Sequence, residues 1–285
     1  MAMLKRIRRS VAASLMPKRT FNSHKGDHGR VLIIGGSSHY HGAPILAGMG
    51  AYGSGADLVH LYVPECNFDV TRAASPDFIV KKYDGNHLSP RHAANIIEFG
   101  KTCDSVLIGP GLGKEESVIS GVLEIIQNLH IPTVLDADAI NVLKKIKNYP
   151  LQQPVVITPH HNEFHELVDK NMMIDETDTK SIILLRSISM DLHINVLLKG
   201  QKDYISSEEG AVEINDTGNP GMTVGGSGDV LSGVVAGLLA QGMEGYDAAR
   251  AAAFYMGRAG DILRKEKGFG YTASDLAQKI SYAIK

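Results

Sequence analysis

The sequence predicts an α/β fold built on a central, mostly parallel sheet, and three observations carry that expectation. Short apolar runs rich in β-branched residues recur at 31–34, 105–108, 133–135, 155–157 and 196–198, each apolar on both faces as a buried parallel strand must be. Segments of helical periodicity separate them, the alternation typical of β-α-β units. Glycine, proline and polar residues gather directly after the runs, at 35–42, 109–113, 136–138, 158–163 and 199–203. In a doubly wound sheet those carboxyl ends are the ligand face.

In chain order, residues 1–24 form a basic arm with Lys5, Arg6, Arg8, Arg9, Lys18 and Arg19, and no acid occurs before Asp27. An Arg-rich, acid-poor opening is one mark of a transit segment. A short amphipathic helix packed on the body or on a partner subunit is the reading favoured here. Residues 25–285 are expected to be one domain, with no internal repeat or linker. The strand at 31–34 enters Gly35-Gly36-Ser37-Ser38. The helix predicted over 42–54 is rich in small residues (Ala43, Ala47, Gly48, Gly50, Ala51, Gly53), which implies close packing against a sheet or a ligand. Strands follow at 57–63 and 78–80, then a helix over 90–99. The strand at 105–108 leads into Gly109-Pro110-Gly111-Leu112-Gly113 and a helix over 115–129. The strand at 133–135 enters Asp136-Ala137-Asp138 and a helix reaching about residue 147. The strand at 155–157 runs into Thr158-Pro159-His160-His161, with helices over 162–169 and 176–192. After the strand at 196–198, residues 204–206 and 211–214 read as an antiparallel pair around Glu208-Glu209-Gly210. Helices close the chain over 229–241, 246–265 and 273–284.

The totals exclude several classes. A net charge of −2 over 285 residues gives no electrostatic footprint for nucleic acid. No apolar run approaches the roughly 20 residues that cross a bilayer, so no membrane partner is expected. Two cysteines, Cys66 and Cys103, make no disulfide framework, which favours a cytoplasmic protein.

The most informative stretch is Asn219-Pro220-Gly221-Met222-Thr223-Val224-Gly225-Gly226-Ser227-Gly228-Asp229, which begins as loop and ends as the start of an apolar helix. The first turn of any helix carries unpaired N–H groups at the positive end of its dipole. Glycines there make an anion hole, with Gly226, Ser227 and Gly228 as its candidates. A carboxylate in that same turn is costly beside phosphate unless a metal screens it or it removes a proton. Asp229 therefore reads as the base of a phosphoryl transfer, or as a simple helix cap. No P-loop pattern is present, and Gly109-Pro110-Gly111-Leu112-Gly113 lacks dinucleotide spacing. His161-Asn162-Glu163-Phe164-His165 is not a zinc motif, because the glutamate does not follow the first histidine. His160 is better placed to offer an imidazole to a ligand, with Glu163 one turn on reaching a magnesium-bound water. Lys199-Gly200 follows a buried strand and reads as a nucleotide contact or a solvated strand end. Asp136 and Asp138 either hold magnesium-bound waters or start a helix.

Taken in order, His24 to Ser37, Tyr40-His41-Gly42-Ala43-Pro44, Gly109 to Gly113, Thr158-Pro159-His160, Glu163-Phe164, Lys199-Gly200, Gly218 to Met222 and Gly226 to Leu231 resemble the ADP- or ATP-dependent NAD(P)H-hydrate dehydratases. That family has the ribokinase-like three-layer fold, and the resemblance covers the chain from about residue 20 onward. It implies repair of the S-epimer of hydrated NADH or NADPH, with Mg²⁺ and with ADP or ATP as co-substrate, in a homo-oligomer, commonly a tetramer. Carried over by position, Ala43, Gly113, His160 and Asp229 would contact the hydrated dinucleotide. Lys199, Gly200, Gln201, Lys202, Asp203 and Gly228 would contact the adenine nucleotide. The family usually has threonine where Ser227 stands and often where Asp203 stands. Its frequent fusion partner, an epimerase domain, has no counterpart in these 285 residues, so a stand-alone form is expected. Two rivals remain: a ribokinase-like kinase of a vitamin precursor or sugar, and a non-catalytic nucleotide-binding regulator.

Overall fold

A computed structural model describes residues 4–169, 174–175 and 177–285. Residues 1–3 of the basic arm, and residue 176 at the expected start of a helix, lie outside the described residues. The elements run β1 (Lys5–Arg6), α1 (Arg9–Leu15), β2 (Arg30–Ile34), α2 (Gly42–Gly53), β3 (Leu58–Pro64), α3 (Phe68–Ala74), β4 (Ile79–Tyr83), α4 (Ala93–Gly100), β5 (Ser105–Ile108), α5 (Glu116–Asn128) and β6 (Thr133–Leu135). They continue with β7 (Val155–Ile157), α6 (His161–Val168), α7 (Thr179–Leu192), β8 (Asn195–Leu198), β9 (Asp203–Ser206), β10 (Val212–Asn215), α8 (Ser227–Ala240), α9 (Gly245–Lys267) and α10 (Ala273–Ile284).

The described strands form a ten-stranded sheet in the order β1-β10-β9-β8-β7-β6-β5-β2-β3-β4. Every pairing from β4 to β8 is parallel, and β9 runs antiparallel to both of its neighbours. Side chains alternate across the sheet. Val31 and Ile33 of β2 join the core under α2, α8, α9 and α10, while Leu32 and Ile34 join the core under α4, α5 and α6. Helices thus cover both faces, giving the expected three layers. The described part of the arm docks on the body: β1 pairs with β10, and α1 lies against α9.

Four sequence expectations need correction. The small-residue helix α2 meets the sheet, where a Cβ at Gly48 would fall 3.2 Å from Leu61 of β3, but its closest packing is on another helix. A Cβ at Gly50 would strike the Val230 carbonyl, and one at Gly233 would strike the Ala47 carbonyl, so α2 and α8 meet backbone to backbone. The helix after β6 is a 3₁₀ segment, Ala137–Lys145. Ala137 holds φ +50 at its start, and the Leu143 carbonyl near its end is taken by the Tyr149 hydroxyl (3.0 Å), so no α-helix propagates. Strand β4 extends to Tyr83, and the helix expected over 90–99 opens with a 3₁₀ turn, Pro90–His92. Helix α3 and strand β1 carry no sequence expectation, being short and weakly periodic.

The chain order reverses between β2 and β5, which lie side by side although β3 and β4 intervene in sequence. At that switch point the loops after the two strands are tied together by Gly36 N–H donating to the Pro110 carbonyl (2.8 Å). In open α/β sheets this crevice is where ligands bind.

Candidate active site

Helix α8 starts at Ser227, with Gly226 as its N-cap at φ +91, and no side chain caps it. A Cβ at Gly226 would strike Leu46 of α2, so the turn is fixed by helix packing. The first helical bond is Val230 N–H to the Gly226 carbonyl (3.1 Å), which leaves the N–H groups of Gly228 and Asp229 without a partner four residues back. Ser227 N–H is directed at the Val224 carbonyl (3.3 Å). On the cavity side of this turn the candidate anion donors are therefore the Ser227 hydroxyl and the Gly228 N–H.

Lys199 closes the site from the opposite wall. It follows β8, bridges in parallel to His160, and donates its N–H to the Pro159 carbonyl (2.8 Å). Its ammonium stands 2.9 Å from Asp136 Oδ1 and only 3.2 Å from where a Cβ on Gly228 would be. The lysine thus points at the N-terminus of α8. Asp136, 1 % exposed, does not cap the 3₁₀ segment that follows it; its Oδ1 also accepts the Thr158 hydroxyl (2.8 Å). Burial alone would push the Lys199 ammonium down, but Asp136, Glu163 and Asp229 outweigh it and hold it above the usual lysine range.

Three carboxylates facing one ammonium leave an excess of negative charge. Asp229 bears it: burial first, then the charge of Asp136, with Glu163 acting in the same direction, pushes its carboxyl up to about 7, while Lys199 pulls it back. The capping alternative for Asp229 finds no hydrogen bond to support it. Glu163 and His160 form a reciprocal cap on α6: Glu163 N–H donates to His160 Nδ1 (3.1 Å), and His160 N–H donates to Glu163 Oε2 (2.8 Å). That acceptor role leaves the proton of a neutral His160 on Nε2, which lies 3.4 Å from Glu163 Oε1 on a half-exposed ring. Burial raises the Glu163 carboxyl, and Lys199 opposes the rise.

Beside this cluster lies a cavity of about 610 Å³. One wall is Lys199, Gly200, Gln201, Lys202 and Asp203, and the facing turn contributes Ser227 and Gly228. All six residues expected to bind the adenine nucleotide line it. A second wall, residues 216–220 with Met222 and Thr223, was not assigned from the sequence, although Asn219-Pro220 is a legible helix start. Asn219 does cap the 3₁₀ turn Pro220–Thr223, accepting from Gly221 N–H (3.0 Å). Leu231, Ala253 and Met256 supply apolar surface suited to a base. Asp203 differs from expectation in what its side chain does. Its carboxylate is occupied by Gly200 N–H (3.1 Å) and Asn215 Nδ2 (3.0 Å), so it closes the loop from within, and burial pushes it up to about 6.

The residues expected to bind the hydrated dinucleotide do not line this cavity. Ala43 opens α2 at the switch-point crevice, where a Cβ on Gly111 would lie 3.1 Å from its own Cβ. Gly113, at φ +93, donates its N–H to Asp138 Oδ2 (3.1 Å). Asp229 and Gly228 are adjacent in the turn of α8 that borders the cavity. Among the described residues no cluster of three or more His, Cys, Asp or Glu is spaced to ligate a metal directly.

A family described as NAD(P)H-hydrate dehydratase matches residues 31–282. The chain is similar to an ADP-dependent (S)-NAD(P)H-hydrate dehydratase of Nitrosopumilus maritimus, 37% identical over 279 residues that cover 97% of this chain and 95% of that protein. It is similar to the bifunctional NAD(P)H-hydrate repair enzyme of Methanothermobacter thermautotrophicus, 40% identical over 270 residues, 93% of this chain and 51% of that one. The chain thus spans about half the length of the bifunctional relatives it matches. Among solved structures, a ribokinase-like superfamily protein of Enterococcus faecalis superposes with a TM-score of 0.83 at 25% identity, over 100% of this chain and 96% of that one.

Proposed function

This chain belongs to the NAD(P)H-hydrate dehydratase family, and on that premise we propose that it regenerates NADH or NADPH from the S-epimer of the hydrated cofactor, using ADP or ATP. One observation carries the reading: a carboxylate poised near neutrality, Asp229, shares the turn of α8 that borders the nucleotide cavity with Gly228, against which Lys199 points. A phosphate seated on that turn meets backbone N–H groups and the Lys199 ammonium, so charge developing on transfer is met by donors already in place. Asp229 takes the proton of the hydrate hydroxyl. The hydroxyl oxygen bonds to the terminal phosphorus of the nucleotide as the bond to the leaving nucleotide breaks. The C–O bond of the new phosphate ester then breaks, pushed by the ring-nitrogen lone pair, and loss of a neighbouring ring proton restores the dihydropyridine. The balance is hydrate plus ADP giving NAD(P)H, AMP and phosphate, or the same with ATP giving ADP. Ala43 and Gly113 at the switch-point crevice, and His160 after β7, whose half-exposed ring carries the Nε2–H donor, are the proposed contacts of the dinucleotide.

Mg²⁺ fits the donor chemistry: three carboxylates face one ammonium, so a cation restores balance. Glu163 would hold it through water, and it would neutralise nucleotide phosphate charge. Further readings are the arm at 1–24 docked on one catalytic domain at 25–285, a homo-tetramer, and a cytoplasmic location in keeping with the free thiols of Cys66 and Cys103. Light scattering on the purified protein tests the tetramer.

The decisive experiment incubates hydrated NADH with the protein, Mg²⁺ and either ADP or ATP. Nucleotide-dependent growth of the reduced-nicotinamide absorbance band, with one phosphate released per NADH, is the expected result. Nucleotide consumption without that band, accompanied by a stable phosphorylated product from another substrate, would instead identify a small-molecule kinase.

A further inference from the structure

We propose that Asp261, on α9 and outside the cavity, is a positioning residue for the nucleotide, acting through the wall formed by residues 218–223; the inference rests on the nucleotide reading above. Asp261 Oδ2 accepts Gly218 N–H (3.2 Å) and its Oδ1 accepts Asn219 Nδ2 (3.2 Å). Those two bonds fix the main chain and the side chain at the point where the wall leaves β10. Asn219 is held at its other end as well, because its Oδ1 accepts both the Tyr271 hydroxyl (2.8 Å) and Gly221 N–H (3.0 Å). Its amide can therefore take only one orientation: oxygen toward Tyr271 and nitrogen toward Asp261.

Within the wall, Met222 N–H donates to the Asn219 carbonyl (3.0 Å) and the Thr223 hydroxyl to the Pro220 carbonyl (2.9 Å), bonds that shape the turn without tying it to α9. Gly218 sits at φ +104, a conformation open chiefly to glycine, and Pro220 offers no N–H. The wall rests directly on α9, since a Cβ on Gly260 would fall 2.7 Å from Met222 Cγ and 3.4 Å from Asn219 Nδ2. Helix α9 thus presents a glycine for close approach and, on the next residue, the carboxylate that orients what approaches. Met222, Thr223, Asn219 and Gly218 reach the cavity from this seat. Without Asp261, the Asn219 amide loses its nitrogen-side partner and the wall must be ordered at the moment of binding, a cost drawn from nucleotide affinity. The chemistry on the far side of the α8 turn is untouched.

The test is direct binding of Mg-ADP and Mg-ATP to wild type, Asp261→Ala, Asp261→Asn and Tyr271→Phe, alongside steady-state kinetics. The expected result for Asp261→Ala is about tenfold weaker nucleotide binding, which is about 1.4 kcal/mol. The nucleotide KM should rise in parallel, with kcat and the hydrate KM within about twofold of wild type. Asp261→Asn keeps a carbonyl for Gly218 N–H and should recover part of the loss. Tyr271→Phe should weaken binding in the same direction by less, and Lys265→Ala, an exposed change on the same helix, should bind as wild type does. Wild-type affinity in folded Asp261→Ala overturns the positioning role. A fall in kcat with unchanged nucleotide KM also overturns it, since that is the mark of damaged folding or chemistry. Wild type that binds neither nucleotide overturns the nucleotide reading itself, and the inference with it.

Discussion

Replacing Asp229 by asparagine should make this protein nearly inactive and, above neutral pH, more stable. The structure lifts the Asp229 carboxyl from 3.8 to about 7. A carboxyl raised on folding binds its proton more tightly in the folded chain than in the unfolded one. Its contribution is therefore most favourable below the unfolded value and is lost as pH climbs through the folded one. By pH 8 the ionised, buried group costs on the order of 4 kcal/mol, taking about 1.36 kcal/mol per pKa unit, an upper figure because the side chain is partly exposed. By pH 5 the folded form is still protonated and the cost is under half of that. The Asp229→Asn variant would carry no such charge, so its advantage over wild type should be larger at pH 8 than at pH 5 by about 2 kcal/mol. In a chain of this size that is a difference of about 3 °C in Tm. The assay is thermal unfolding of both proteins at the two pH values without nucleotide, paired with turnover at pH 8. Turnover should fall by about 10² to 10⁴, the usual worth of a positioned base. A Tm difference independent of pH refutes the buried-charge argument, and turnover within a few fold of wild type refutes the assignment of the base.

Other outcomes follow from the same cluster. The acid limb of kcat/KM should fall near pH 7, where Asp229 gains its proton; Asp136→Asn should move it to lower pH and Lys199→Met to higher pH, because the first removes a like charge and the second an opposite one. Lys199→Met should also weaken nucleotide binding severalfold by calorimetry. Gly228→Ala should lower nucleotide affinity, because the added methyl would lie 3.2 Å from the Lys199 ammonium and disturb its pairing with Asp136. Chelation of divalent cations should abolish turnover, with Mg²⁺ restoring it.

Much of this architecture is legible in the sequence. The doubly apolar runs at 31–34, 105–108, 155–157 and 196–198 fall on β2, β5, β7 and β8, because burial on both faces leaves a composition few other elements share. The glycine turn before α8 is equally readable, and the loop at 199–203 meets it across one cavity. What escapes is non-local. Asp136 reads in sequence as a holder of magnesium-bound water or a helix start, and only the pairing of β6 with β7, and of β7 with β8, turns its carboxylate onto Lys199. The resemblance implies a nucleotide contact for Asp203, and only the register of β9 against β10 brings Asn215 to its carboxylate. The wall at 216–223 has turn chemistry without any local sign that α9 would hold it. The tight contact of α2 with α8 is visible as small residues, yet composition alone does not say what would approach them.

The outermost ladder of the sheet has a consequence for the order in which the molecule takes shape. Arg6 and Asp216, which close β1 against the end of β10 at 2.7 Å, stand 210 residues apart in sequence. During synthesis the arm has no strand to join until most of the chain has followed it, and closing so long a loop is entropically expensive. The arm should therefore be a late addition, clasping a sheet already built between β2 and β10. Asp216 also belongs to the lining of the cavity beside Lys199, so the clasp holds one of its lining residues from outside. Hydrogen exchange at Ile7, whose N–H bonds to the Ile214 carbonyl, would time that last event of assembly.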